Sequence, residues 1–419
     1  MRVGKQINMT MRMPIATPER NALVFAAIAH GAMHLFGAYF FTIILALERV
    51  WEMPFPDLLA LWTPAALLIG LAALPMGWIA DRWTRGGMIA VSFLGMGLAS
   101  IVSGFASGPS SIVLALAVIG IFAAIYHPVG IPWVMRLAPK NPGKALAING
   151  LFGGMGVGVA ALTAGGLIDL VSWRAAFVVP GLVSLGVGAV MFAMLRRGRI
   201  AEPGNSAPDS QPGEGRSGML RGALLILATG FVGGLVYQST QAVAPKMFEV
   251  RLEAFLDGST AGVGAVVFAI YVMAGLGQLV GGWAADRFSW KRAYLLAWCI
   301  HMPMLWFAAS AGGPFLIFAI FMITVAGTGA IPAEALLFAR YTPERHHGLI
   351  FGFRYVLALG SAPLAIQFIA FVLERTGEFA WIYWMLGMAG CLTLIGILLL
   401  PPVSGRRASP IEATPAPAE

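Results

Sequence analysis

The chain has 419 residues, of which 58% are hydrophobic and 11% charged, and its mean hydropathy is +0.81. Soluble domains carry about a quarter charged residues, so this composition excludes a water-solvated fold and makes the bilayer the solvent. The net charge of +8 is scattered through short loops with no basic face or aromatic-basic interleaving, which argues against nucleic acid as a partner.

Residues 1–21 form a polar N-terminal segment. The first apolar run, Ala22 to Leu47, is longer than a signal-peptide core and ends at Glu48 and Arg49 without a small-residue cleavage pattern, so a retained helix is expected. A spanning helix needs about 20 mostly apolar residues. Runs that meet this start near Ala22, Asp57, Gly87, Ser110, Lys144 and Trp173, giving a first six-helix bundle over 22–195. Residues 196–220 are rich in Gly, Pro and Ser and read as a flexible cytoplasmic linker. Six further runs begin near Arg221, Gly258, Ala293, Pro314, Gly348 and Phe379 and define a second bundle over 221–400. The tail 401–419 has the linker's composition and is expected to be disordered and cytoplasmic. The predicted fold class is therefore an all-α membrane protein of twelve transmembrane helices in two six-helix bundles. The runs are continuous and do not alternate in polarity, which disfavours a barrel.

With odd-to-even connections placed outside, the outer loops hold only Arg49, Arg174, Lys246, Arg251 and Arg375 of the 27 Lys and Arg. The positive-inside rule then puts both termini in the cytoplasm of an inner or plasma membrane. Cys299 and Cys391 lie inside apolar runs, so neither a disulfide framework nor a thiolate metal site is expected.

The halves repeat one another. Gly77-Trp78-Ile79-Ala80-Asp81-Arg82 recurs as Gly282-Trp283-Ala284-Ala285-Asp286-Arg287, and Pro128, Arg136 and Pro139 recur as Pro332, Arg340 and Pro343. Two such units imply parallel repeats with a substrate site between them near the midplane. The segment Gly77-x-x-x-Asp81-Arg82-x-x-Arg85, with its second copy at Gly282, Asp286, Arg287, Lys291 and Arg292, resembles the signature loop of the major facilitator superfamily. The resemblance covers nearly the whole chain. It implies alternating access, with Asp81, Arg82, Arg85, Asp286 and Arg287 biasing the two access states. Within that superfamily, His30 and Tyr126-His127-Pro128 resemble the fosmidomycin-resistance-like branch. The chain departs from that branch at Val129, where an acidic residue is usual, and at His34, where Asp is expected, so no substrate is carried over. The glycine-rich fifth run, Asn149 to Gly166, is similar to the antiporter segment of drug/proton exchangers but lacks its Gly-Pro, and tight helix packing is the favoured reading.

Ionisable groups inside spans are costly and become site candidates by default. His30 and His34 stand four residues apart, hence on one helix face. His127 precedes Pro128 in the fourth helix. In the resembled fold helices one, four, seven and ten line the cavity, which would bring these histidines together with Gln238, Gln241 and Glu334. Arg354 is expected to pair with Glu334 at a gate, or to bind an anionic substrate. His301 is assigned to packing, and Gln278 and Gln367 to hydrogen bonds between helices.

There is no phosphate-binding Gly-x-x-x-x-Gly-Lys-Ser/Thr loop and no nucleophile elbow, so neither an enzyme nor a bound cofactor is expected, and the energy source is an ion gradient or the substrate's own gradient, with titratable His and Glu favouring protons. The reading is secondary active transport of a small organic molecule, proton-coupled, by a monomer, with efflux as one direction and import left open. The competing reading is a transition-metal transporter using His30, Met33, His34, His301 and Met302.

Overall fold

The computed structural model describes residues 17–203, 219–342 and 347–401. Twelve long helices run α1 (Pro18–Trp51, broken at Tyr39), α2 (Phe55–Ala80), α3 (Arg85–Gly104), α4 (Pro109–Leu137), α5 (Pro142–Leu170), α6 (Trp173–Arg196), α7 (Met219–Arg251), α8 (Thr260–Arg287), α9 (Trp290–Ser310), α10 (Gly313–Tyr341), α11 (His347–Thr376) and α12 (Phe379–Leu398). Eleven of them are long and apolar enough to cross a membrane, and α11 adds a twelfth element of 30 residues. No strand occurs among the described residues. The fold is the all-α, two-bundle membrane architecture expected from the apolar runs.

Several helices begin a few residues before their apolar runs because polar caps start them. Thr17, Thr84, Ser172, Ser259 and Ser289 each accept a hydrogen bond from the backbone N–H three residues on. Proline in the first turn of α1, α4 and α5 supplies a preset φ where no N–H is needed. Elsewhere proline interrupts. Pro64 removes the N–H that would reach Ala60, and α2 breaks at Leu61–Trp62; Pro128 removes the N–H that would reach Ala124, and α4 breaks at Ala124–Ile125.

Lipid tails offer helices no hydrophobic incentive to associate, so close backbone approach has to hold the bundles. In the first bundle a Cβ on Gly97 would lie 2.7 Å from the Gly181 carbonyl oxygen, and Ser100 and Ser184 tie α3 to α6 through bonds to Phe177 O and Phe93 O of 2.7 and 2.8 Å. In the second, Trp306 Nε1 of α9 donates to Trp384 O of α12 at 3.3 Å, the pair equivalent to α3 and α6. Between the bundles, α5 packs along α8 through small residues: a Cβ on Gly158 would lie 3.1 Å from Phe268 Cα. The outer faces of α6 and α12 present Leu182, Val183, Val190, Met388, Leu392 and Ile395 unburied, as lipid-facing surfaces do.

Candidate functional site

The break in α4 is what brings its polar residues to α1. Helix resumes at Tyr126, whose ring stacks on His30 with centroids 4.6 Å apart and planes 11° from parallel. His127 stands edge-on to both histidines of α1, at 5.5 Å from His30 and 5.8 Å from His34. His30 and His34 are themselves 4.9 Å apart. Three imidazoles thus share one space, with a ring nitrogen of each within 4.8 Å of the others. His30 is buried, while His34 and His127 keep partial exposure.

Helix α5 closes the site from the third side. His30 Nδ1 lies 2.7 Å from the main-chain oxygen of Asn149 and 3.1 Å from its Nδ2, and Tyr126 Oη donates to Asn149 Oδ1 at 2.6 Å. Asn149 is buried to 3% exposure. One turn on, a Cβ on Gly153 would come 2.6 Å from His30 Cε1, so only glycine leaves room for the imidazole. The glycine-rich run of α5 therefore does packing work, and the packing it permits makes the histidine's slot. A cavity of about 200 Å³, lined by Leu23, Ala27, Val134, Lys144 and Ile148 among others, opens between α1, α4 and α5 at the end of the bundle that carries the termini and reaches Asn149.

Chemically, three neighbouring imidazoles resist joint protonation, so charge taken up by one lowers the proton affinity of the others and titration belongs to the set. No carboxylate among the described residues joins them.

The other expected site residues sit apart. Glu334 of α10 lies against α7, where a Cβ on Gly230 would be 2.7 Å from its Oε1. Gln238 and Gln241 stand three residues apart on α7, with Gln241 buried. The side chain of Arg354 lies outside the described residues, and so does any pairing with Glu334. His301 stacks on Trp298 at 4.8 Å and packs against Gly327 inside the second bundle, so the metal set of His30, Met33, His34, His301 and Met302 does not converge. Gln367 does bond between helices, donating to Thr63 Oγ1 at 2.9 Å, and Gln278 of α8 faces Gly150 next to Asn149.

In the signature loop, Arg85 is buried and sits 3.7 Å from Asp81, whose carboxylate is 72% exposed. Arg82 lies over the Trp78 ring at 3.9 Å and donates to Trp78 O. In the second copy Asp286 and Arg287 close α8, and Lys291 bonds Leu398 O, the last carbonyl of α12, and Leu400 O just beyond it, at 2.8 Å each. Glu202 accepts from Gly86 N at 2.7 Å; burial raises its pKa from the ordinary carboxylate value, against the backbone hydrogen bonds and Arg85 that pull it down.

At the opposite end of the molecule the two bundles are joined by polar contacts. Lys246 of α7 is 2.7 Å from both Glu48 of α1 and Glu249. Asp169 of α5 accepts from Ser259 Oγ at 3.0 Å and from Ala261 N at 2.8 Å, across at the start of α8. Sequence reading passed over Asn149 and Asp169, because one polar residue in a glycine run and one acid at a helix end carry no pattern of their own.

Three comparisons place the chain among known proteins. Puromycin resistance protein pur8 of Streptomyces alboniger is 36% identical over 114 residues, 27% of this chain and 23% of that protein. The uncharacterized MFS-type transporter EfpA of Mycobacterium tuberculosis is 29% identical over 189 residues, 44% of this chain and 34% of that protein. The matches thus span only about a quarter to a third of these relatives' lengths. Crystal structures of a bacterial homolog to the human lysosomal transporter Spinster, inward-facing, share the fold at 15% identity: the occupied form has a TM-score of 0.69 over 92% of this chain and 96% of that one, the unoccupied form 0.66 over 91% and 94%. The sequence profile of the Major Facilitator Superfamily matches residues 26–274, more than half the chain, and with the repeated signature loop and the two-bundle fold this establishes that the chain belongs to that superfamily of membrane transporters.

Proposed function

We propose that the chain is a secondary active transporter of the cell membrane that exports a small organic molecule by alternating access, coupled to protons, with both termini in the cytoplasm and a monomer as the working unit. The observation that carries the proposal is the cluster of His30, His34 and His127, gathered from two helices inside the first bundle. Imidazole is the side chain whose ordinary titration falls nearest neutral pH, so a cluster of them in a span is suited to exchange protons during transport. Export of a drug-like molecule is supported by the likeness to a puromycin resistance protein. Within this reading Glu334, Gln238 and Gln241 contribute from the second bundle, Arg354 is a gate partner for Glu334, and the loops at Asp81, Arg82, Arg85, Asp286 and Arg287 set the balance between access states.

The test is uptake of puromycin, a fosmidomycin-like phosphonate, sugars, organic acids and Zn²⁺ into proteoliposomes with and without an imposed pH gradient. A gradient-driven flux of an organic compound that collapses with a protonophore is the expected result. Flux indifferent to the gradient would overturn the coupling, and flux of Zn²⁺ alone would replace the organic cargo with a metal.

A further inference from the structure

His30 Nδ1 has two partners on one residue, and they make opposite demands. The main-chain oxygen of Asn149, at 2.7 Å, can only accept, so contact with it requires a proton on Nδ1. The Asn149 Nδ2 amide, at 3.1 Å, can only donate, so contact with it requires a bare Nδ1. The amide is held facing the ring because Tyr126 Oη bonds to its other side, at Asn149 Oδ1. Tyr126 also stacks on His30, and Gly153 backs the ring where no side chain would fit, so the imidazole cannot easily turn away.

We infer that Asn149 is the positioning residue of the histidine cluster, one that keeps Nδ1 of His30 hydrogen-bonded in every protonation state and so lets the ring exchange tautomers and take up or release a proton without stranding a buried nitrogen. In the cationic ring and in the Nδ1–H tautomer the main-chain oxygen accepts. In the Nε2–H tautomer the side-chain amide donates. A buried polar atom left without a partner is disfavoured, and here none of the three states leaves Nδ1 in that condition.

The groups around His30 that titrate or carry charge are His34 on its own helix, Tyr126 and His127 from α4, and, at the cavity mouth on α5, Lys144; Gln278 of α8 adds a neutral amide beside Gly150. The inference rests on the proton-coupled reading for its purpose, though its geometry does not depend on transport.

The experiment is nitrogen NMR of 15N-histidine-labelled protein in nanodiscs. The chain has 6 histidines, and the His30 ring is assigned by the signals lost in His30→Gln. The wild-type ring should show averaged shifts from both tautomers. Asn149→Ala removes the donor and keeps the main-chain acceptor, so the ring should collapse to the Nδ1–H form. Tyr126→Phe, which keeps the stack but frees the amide, should move it the same way by less. Asn149→Val, which also lacks a side-chain donor, serves if the alanine variant does not fold. His30 shifts unaltered in the Asn149 variant and in Tyr126→Phe would overturn the inference. The pH profile of transport is read alongside, and its midpoint should move by about half a pH unit or more in the Asn149 variant, since that much corresponds to a lost hydrogen bond. Altered NMR with an unmoved profile would keep Asn149 as the positioning residue and sink the proton-coupling reading instead.

Discussion

At the scale of single residues, the site turns on what stands against His30. The slot left by Gly153 allows no Cβ, so Gly153→Val should displace the imidazole, lower thermal stability by about 1–3 kcal/mol as overpacking does, and disconnect the cluster from Asn149. A shifted unfolding midpoint in detergent together with changed His30 NMR signals checks this; an unchanged pair would mean that the slot relaxes freely. The three imidazoles give a second prediction. If the set handles protons, His30→Gln, His34→Gln and His127→Gln should each alter the pH profile of transport between about pH 5 and 8, the interval over which histidine ordinarily titrates. If they only bond between helices, stability should change and the profile should not. Identical profiles in all three, with substrate binding intact, would leave Glu334 as the proton candidate.

At the scale of elements, the sequence was legible where one strong constraint acts. The length of an apolar run is set by bilayer thickness, so all twelve helices could be placed, and the repeated signature loop announced the two bundles. Helix starts were read late by a few residues because Thr and Ser caps and first-turn prolines precede the apolar run. The meeting of α1 and α4 was half legible: His-x-x-x-His gives one face, but the break at Ala124–Ile125 that swings Tyr126 and His127 across follows from Pro128 lacking its N–H. Contacts such as that of His30 with Asn149, 119 positions apart, involve a main-chain carbonyl that every residue possesses, so no residue type marks them. The break itself is testable. Pro128→Ala restores the missing bond to Ala124, should straighten α4 and withdraw His127 from the cluster, and should cut transport more than it cuts the amount of folded protein. Transport at the wild-type rate would show that the break is not needed.

Glu202 makes a pH prediction at the same scale, because it caps the start of α3 from beyond α6. Burial raises its pKa in the folded protein, so the folded state prefers the carboxyl protonated. Its contribution is present at acid pH and is lost as pH rises through the carboxylate range, the sign expected when the folded state binds protons more tightly. Relative to wild type, Glu202→Gln should therefore be least favourable at low pH and gain on it as the pH is raised toward neutrality. The gain is to be discounted because the group is only partly buried. Thermal stability measured for both proteins from pH 4 to 7 decides, and a difference that does not vary with pH would remove Glu202 from the account.

For the whole molecule, the distribution of inter-bundle contacts says which end is closed. Asp169 on Ser259 and Ala261, Lys246 on Glu48, and Gln367 on Thr63 all cross between bundles away from the termini, while at the other end the Asp81 carboxylate is largely exposed and a cavity opens. Opening the far end in an alternating-access cycle must break this set. A hydrogen bond or partly exposed ion pair is worth about 0.5–1 kcal/mol, and a carboxylate at a helix start adds a comparable amount through the helix dipole. Removing two such contacts should therefore weaken the closed state by about 1–2 kcal/mol, a factor of roughly 5–30 in its ratio to the opposite state. The variant is Asp169→Asn with Lys246→Gln. Spin labels go at Leu170 and Phe255, both exposed at the far end, and at Trp83 and Phe288 near the termini, with Cys299 and Cys391 replaced by serine. Electron double resonance distances should lengthen at the first pair and shorten at the second, because rocking the bundles about a central site opens one end as it closes the other. If the distances at both pairs match those of the unsubstituted protein, these contacts are not what holds the far end shut, and the small-residue packing of α5 along α8 becomes the element that does.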